Sequence, residues 1–156
     1  MADHPFADHL RAQLEFFNRA TATLSEADAA FAPQPGMFTV ANHVAHVAHT
    51  VTWFMHGAFA ATGFDLDFAA HEAEIRRVTS LGGARAQLAE AYAVAIAKLE
   101  SQTRDQLNLP IAAGPIMGGA PRLALVGGLA DHTAHHRGAL SVYARLCGRV
   151  PAMPYA

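Results

Sequence analysis

The sequence predicts an all-α protein, a four-helix bundle. Three observations carry that reading. Four long segments read as helices, no segment shows the strict alternation of a half-buried strand, and helix caps and loops mark the segment ends. At 156 residues the chain reads as one domain spanning 1–156, long enough to bury a real core.

The first helix is expected from about Phe6 to Phe31, rich in Ala, Leu, Glu and Arg, and broken by "PQPG" at Pro33 to Gly36. Thr39 is a suitable N-cap for a second helix running to about Ala61, after which "TGFDLDF" reads as a loop. A short helical piece is expected from His71 to Val78. Ser80 then caps a third long helix through about Ser101. The connection "PIAAGPIMGGAP" leads to a fourth helix with Pro121 at its first position and Cys147 at its end. Gly148 sits at the expected C-terminal cap, and Pro151 lies just beyond.

Composition narrows the function. Hydrophobic residues make up 52% of the chain and charged ones 15%, against a usual charged share of about 25%. Lys98 is the only lysine. So few charges cover a monomer surface thinly, which predicts a subunit interface and a homodimer. The formal net charge is −2 and no basic run exists, so no nucleic-acid footprint is expected. Cys147 stands alone, which excludes an intramolecular disulfide, a CxxC pair and a multi-cysteine zinc site. The acidic start "MADHPFADHL" lacks a signal pattern, and no apolar run approaches the ~18 residues of a membrane span. The expectation is a soluble cytoplasmic protein without a membrane partner.

The fourth helix carries the chemistry. Within "DHTAHHRGAL" (Asp131 to Leu140) lie His132, His135 and His136. At about 100° per residue, Leu125, Leu129, Leu140, Tyr143 and Cys147 form one stripe, and His132 and His136 fall inside it. His135 and Arg137 point away. A buried imidazole without a partner is costly, so a stacked pair in an apolar stripe needs satisfaction. Two core histidines bonded to carbonyls or hydroxyls would serve. A metal serves better, because HxxxH spacing brings both rings to one ion.

A further ligand must come from another helix. "TVANHVAHVAHTVTWFMH" offers His43, His46, His49 and His56. Periodicity alone favours His43, nearest the stripe of Val40, Val44, Val47, Val51 and Phe54, while His46 lies off it near Thr39, Thr50 and Trp53. Other patterns fail. There is no Glu-x-x-His pair for a carboxylate di-metal site, "HEAEI" at His71 lacks a second zincin histidine, and no CxxCH haem attachment exists.

"HTAHHRGALSVYARLCGRVPAMPY" resembles the C-terminal hallmark of the DinB/YfiT-like superfamily of four-helix-bundle metalloenzymes: a His, three residues, His-Arg-Gly, then a tail with Tyr, Arg, Gly and Val-Pro. "FTVANHVAHVAHTVTWF" is similar to that family's second-helix signature, in which the ligand follows a hydroxyl residue by seven positions. Counted from Thr39, that residue is His46. The resemblance therefore implies a metal site of His46, His132 and His136, against the wheel's preference for His43. Family members often carry Asp where this chain has His49, which leaves His49 as a candidate base or supporting residue.

Three neutral histidines leave coordination positions open, the catalytic arrangement. The resemblance implies a metal-dependent enzyme acting on a small molecule, a thiol-dependent S-transferase or a hydrolase, with a low-molecular-weight thiol as a candidate cofactor. Zn, Ni, Mn and Fe all suit imidazole ligands. The competing expectation is a non-catalytic helical metal- or ligand-binding stress protein with a closed site. Asp131 is a candidate partner for a ligand ring or a solvated residue, and Arg137 a candidate anion contact or a surface one. Tyr143 either bonds in the pocket or packs, and Gly127, Gly128 and Gly138 are expected where helices approach closely. His4 and His9 read as surface residues.

Overall fold

The computed structural model describes residues 4–155. Six α-helices are present and no strand occurs among the described residues: α1 (Pro5–Thr21), α2 (Val40–Phe59), α3 (Phe68–Arg76), α4 (Leu81–Glu100), α5 (Arg104–Asn108) and α6 (Leu125–Leu146). The four long ones form the bundle. Around its section α1 neighbours α4, α4 neighbours α2, α2 neighbours α6, and α6 returns to α1. Leu10 and Phe17 of α1, Val40, Val44, Val47 and Val51 of α2, Leu88 and Leu99 of α4, and Leu125, Leu129 and Leu140 of α6 are buried between them. Tyr92 of α4 is fully buried too, and its hydroxyl sits 2.8 Å from Thr133 Oγ1 of α6, which satisfies both groups.

Several elements depart from expectation, among them α3, which starts at Phe68 inside the expected loop and ends at Arg76 rather than Val78. The first helix ends at Thr21, ten residues before the expected Phe31. Ser25 and Asp28 form a capping box that opens a separate 3-10 turn, Glu26–Asp28. Tertiary partners hold that turn: Arg149 forks onto the Asp28 carboxylate at 2.9 and 3.1 Å, and the Glu26 carboxylate accepts from the Leu81 and Gly82 amides at the start of α4. Pro121 does not open the fourth helix directly. It leads into a 3-10 turn, Arg122–Ala124, and α6 follows. The short helix α5, capped by Thr103 and Gln106, was not foreseen.

Capping went as the residue types dictate elsewhere. Thr39 and Asn42 cap α2 reciprocally, and Ser80 caps α4. Asn42 does more: its amide donates to the carbonyls of Ile75 (3.2 Å) and Val78 (2.9 Å), which ties the end of α3 to the start of α2. That bond sets α3 beside the histidine-bearing face of α2. His4 accepts from the Ala7 amide at 3.3 Å and so caps α1 rather than standing idle. Among the described residues, no helix is long and apolar enough to cross a membrane.

Of the three glycines expected at close helix contacts, only Gly128 qualifies. A Cβ there would lie 3.0 Å from the Phe54 ring of α2, whereas Gly127 and Gly138 face open space. The tighter case is Gly57, where a Cβ would fall on the ring of Phe64.

Candidate metal centre

α2 and α6 are neighbours, so the imidazoles of one helix reach those of the other. His46, His132 and His136 converge, each offering one ring nitrogen, and these nitrogens all lie within 4.8 Å of one another. His46 Nε2 and His132 Nε2 are 3.1 Å apart. Two nitrogens on one tetrahedral ion at 2.0–2.1 Å stand about 3.3 Å apart, so this pair is already near coordination spacing. Ring centroids of 4.9 Å (His46–His132), 4.6 Å (His46–His136) and 4.5 Å (His132–His136) complete the triangle.

The donor set fits a borderline divalent ion. All three ligand candidates are held neutral, as metal binding requires. Burial, reinforced by the neighbouring imidazoles, pushes His132 down to about 4 and His136 down to about 2, and lowers His46 in the same sense. The Nδ1 atoms of His46 and His132 are buried without a hydrogen-bond partner. The Nε2 atoms of these two rings face each other at 3.1 Å, and a cation between them would draw on both lone pairs where a direct contact between the rings uses one.

His43 belongs to the cluster in a different role. It is buried, its ring held down to about 4 chiefly by burial, and its Nδ1 lies 3.0 Å from His136 Nδ1. One of these nitrogens carries a proton and the other accepts, which leaves His136 Nε2 for the centre. His43, the residue that periodicity favours, thus lies against one of the three converging rings rather than among them. His46 sits at the flank of the α2 stripe because the centre lies at the bundle's edge, where one side opens to a cavity. The stripe's middle marks the deepest packing, not the opening.

That cavity is a cleft of ≈ 300 Å³ between α2 and α3. His46, His132 and Thr50 lie on one side of it, with Thr50 Oγ1 3.4 Å from His132 Nε2. Phe38, Trp53, Phe54 and Phe68 supply aromatic walls, and His49, His71 and Glu72 also line it. His49 shares the cleft but bonds to none of the three converging rings. Its ring packs against His71 at 4.8 Å, the two planes tilted by 57°, with Glu74 Oε2 4.0 Å from its Nε2. Burial lowers its pKa.

Other candidates fall outside the cleft. His135, Asp131 and His56 are exposed. Arg137 donates to the Tyr155 hydroxyl at 2.7 Å and lies over the Tyr155 ring, so it anchors the C-terminal tail. Tyr143 donates to the Phe38 carbonyl at 3.1 Å and packs edge-on against His43, fixing one wall from behind. Sequence reasoning missed His71, Trp53 and Phe68 as cleft residues. The cluster of aromatic and acidic residues in "GFDLDF" was the available signal.

A model of the DinB superfamily matches residues 9–140. The chain belongs to that superfamily. Among solved structures it is similar to YfiT from Bacillus subtilis, described as a probable metal-dependent hydrolase with an unusual four-helix bundle topology. That likeness has a TM-score of 0.70 at 18% identity and covers 92% of this chain and 86% of the other. At such identity it shows the fold alone. Comparison with curated proteins returns no match. Membership accounts for the bundle, and the ring convergence of α2 and α6 is this chain's own geometry.

Proposed function

We propose that this DinB-superfamily protein is a divalent-metal-dependent enzyme acting on a small molecule, with His46, His132 and His136 as the metal ligands. One observation carries the reading: three neutral imidazoles converge beside an apolar cleft of ≈ 300 Å³. A structural site would be closed by a fourth protein ligand, and an accessible one suits catalysis. An ion so held supplies a Lewis acid and a bound water acidified toward a pKa of ~7.

The chain's own groups divide the remaining work. His43 holds the proton pattern of His136, the aromatic side chains line the cleft, and His49, an imidazole in the cleft outside the three converging rings, is the candidate to accept a proton from a reacting group. Hydrolysis is the reaction we favour, and the description of YfiT supports it. The test is a screen of small esters, amides and thioesters before and after chelation. Activity lost with the metal and restored by Zn, Ni, Mn or Fe is the expected result. Turnover that survives complete removal of metal would sink the reading.

A homodimer is also proposed. Val142 (56% exposed) and Leu146 (58%) sit one turn apart on the outer face of α6, and Val150 (82%) and Met153 (65%) of the tail are exposed too. A second copy covering this surface would remove it from water. Light scattering at micromolar concentration should give twice the chain mass, and a monomer alone would refute it.

A further inference from the structure

We infer that the cleft beside the three histidines takes a small aromatic molecule without anionic substituents, and not a carboxylate-bearing thiol such as glutathione. The inference rests on the metal reading above for the cleft's reacting end, and it concerns the rest of the occupant.

Charge comes first. A carboxylate bound away from water needs a cation or several aimed donors. Among the described residues no lysine or arginine lines the cleft. Arg76, whose guanidinium covers the Phe38 ring at 4.8 Å, is spoken for: its Nε donates to Glu72 at 2.8 Å and its Nη2 donates to the Gly36 carbonyl at 2.9 Å. The charged groups that do face this region are acidic. Glu72 lines the cleft, Glu74 lies 4.0 Å from His49, and Asp65 lies 3.6 Å from His71. Beyond the metal, a ligand's carboxylates would meet repulsion and no counter-charge.

The walls are aromatic and pre-formed. The Trp53 indole N–H donates to the Asp65 carbonyl at 2.7 Å, and Phe64 backs the indole at 4.6 Å. Phe64 fits there because residue 57 is glycine, and Phe54 seats against Gly128 of α6. Phe68 stands 56% exposed at 6.0 Å from Trp53 and 6.3 Å from His71, an exposed ring on the cleft lining that a stacking partner can reach. A volume of ≈ 300 Å³ is at the small end for ligand pockets, room for a single substituted ring rather than a tripeptide. The polar groups remaining, His49, His71 and Thr50, suit neutral hydroxyl or carbonyl substituents.

Trp53 is the only tryptophan, so its fluorescence reports occupancy directly. Benzyl mercaptan and glutathione both present sulfur to a metal, and their difference isolates the cleft. Titrated into zinc-loaded protein, benzyl mercaptan should change Trp53 emission saturably and bind at least about tenfold tighter than glutathione, the equivalent of about 1.4 kcal/mol. Phe68→Ala removes an exposed ring at little risk to folding. It should weaken benzyl mercaptan by about threefold or more, with metal content unchanged.

Glutathione binding as tightly as benzyl mercaptan would overturn the inference and leave the metal reading standing. So would benzyl mercaptan binding detected by calorimetry with no change at Trp53, or unaltered affinity in Phe68→Ala. Failure of the metal reading looks different: wild-type protein carries no metal, yet an aromatic preference over glutathione persists and upholds the ligand class.

Discussion

His132→Ala and His136→Ala are each expected to abolish stoichiometric binding of a divalent metal, and His46→Ala to do the same. Each removes one of three converging nitrogens, and two imidazoles alone do not hold a borderline ion stably. His135→Ala should leave the metal in place, because that ring is exposed beside the cluster rather than in it. His43→Ala separates a ligand from its support. With His43 bonded to His136 at 3.0 Å, its loss should keep one metal per chain but weaken affinity by about 10- to 100-fold, the usual cost of removing a residue that orients a ligand. Elemental analysis and competition with a chelator measure both quantities. An empty site in His43→Ala together with a full one in His46→Ala would reverse the assignment.

Stability of the metal-free protein should fall as pH drops from about 7 toward about 4. Burial is the main cause, since the folded protein holds His43 and His132 near 4 and His136 near 2, whereas an unfolded chain titrates near 6.5. A lowered folded pKa means that the unfolded state binds more protons below about 6.5, so the stability of the neutral rings is fully present above that pH and drains away below it. Each such ring steepens the loss by up to about 1.4 kcal/mol per pH unit. Urea midpoints should decline across this range, and a flat profile would contradict the burial of the cluster. Metal binding follows a different curve. Burial lowers all three converging rings in the folded protein, so proton competition with the ion sets in below the ordinary histidine pKa rather than at it. Retention of metal by folded protein at about pH 5.5 is the sign to seek.

The fold was legible because its determinants are local. Thr39, Ser80 and Gly148 mark helix ends by their own chemistry, and the stripes of α2 and α6 predict burial that Val40, Val44, Val47, Val51, Leu125, Leu129 and Leu140 all show. The 21–31 stretch was misread for the same reason. Its alanines and glutamate favour helix, while the contacts that turn it, Arg149 on Asp28 and Glu26 on the start of α4, come from residues more than fifty positions away.

The sequence by itself determined the bundle and the pairing of His132 with His136 on one face, and it holds no multi-cysteine, CxxCH or Glu-x-x-His pattern. Those follow from 3.6-residue periodicity and from which residue types are present. Only the tertiary structure shows that His46 converges with His132 and His136 while His43 contacts His136 from behind, because a wheel ranks depth on one helix and cannot see the neighbour that a ring faces. It alone made a cleft of Trp53, Phe68, His71 and Glu72, since α3 reaches the histidine face of α2 through the Asn42 bonds to Ile75 and Val78. A wall assembled from two helices leaves no period in either.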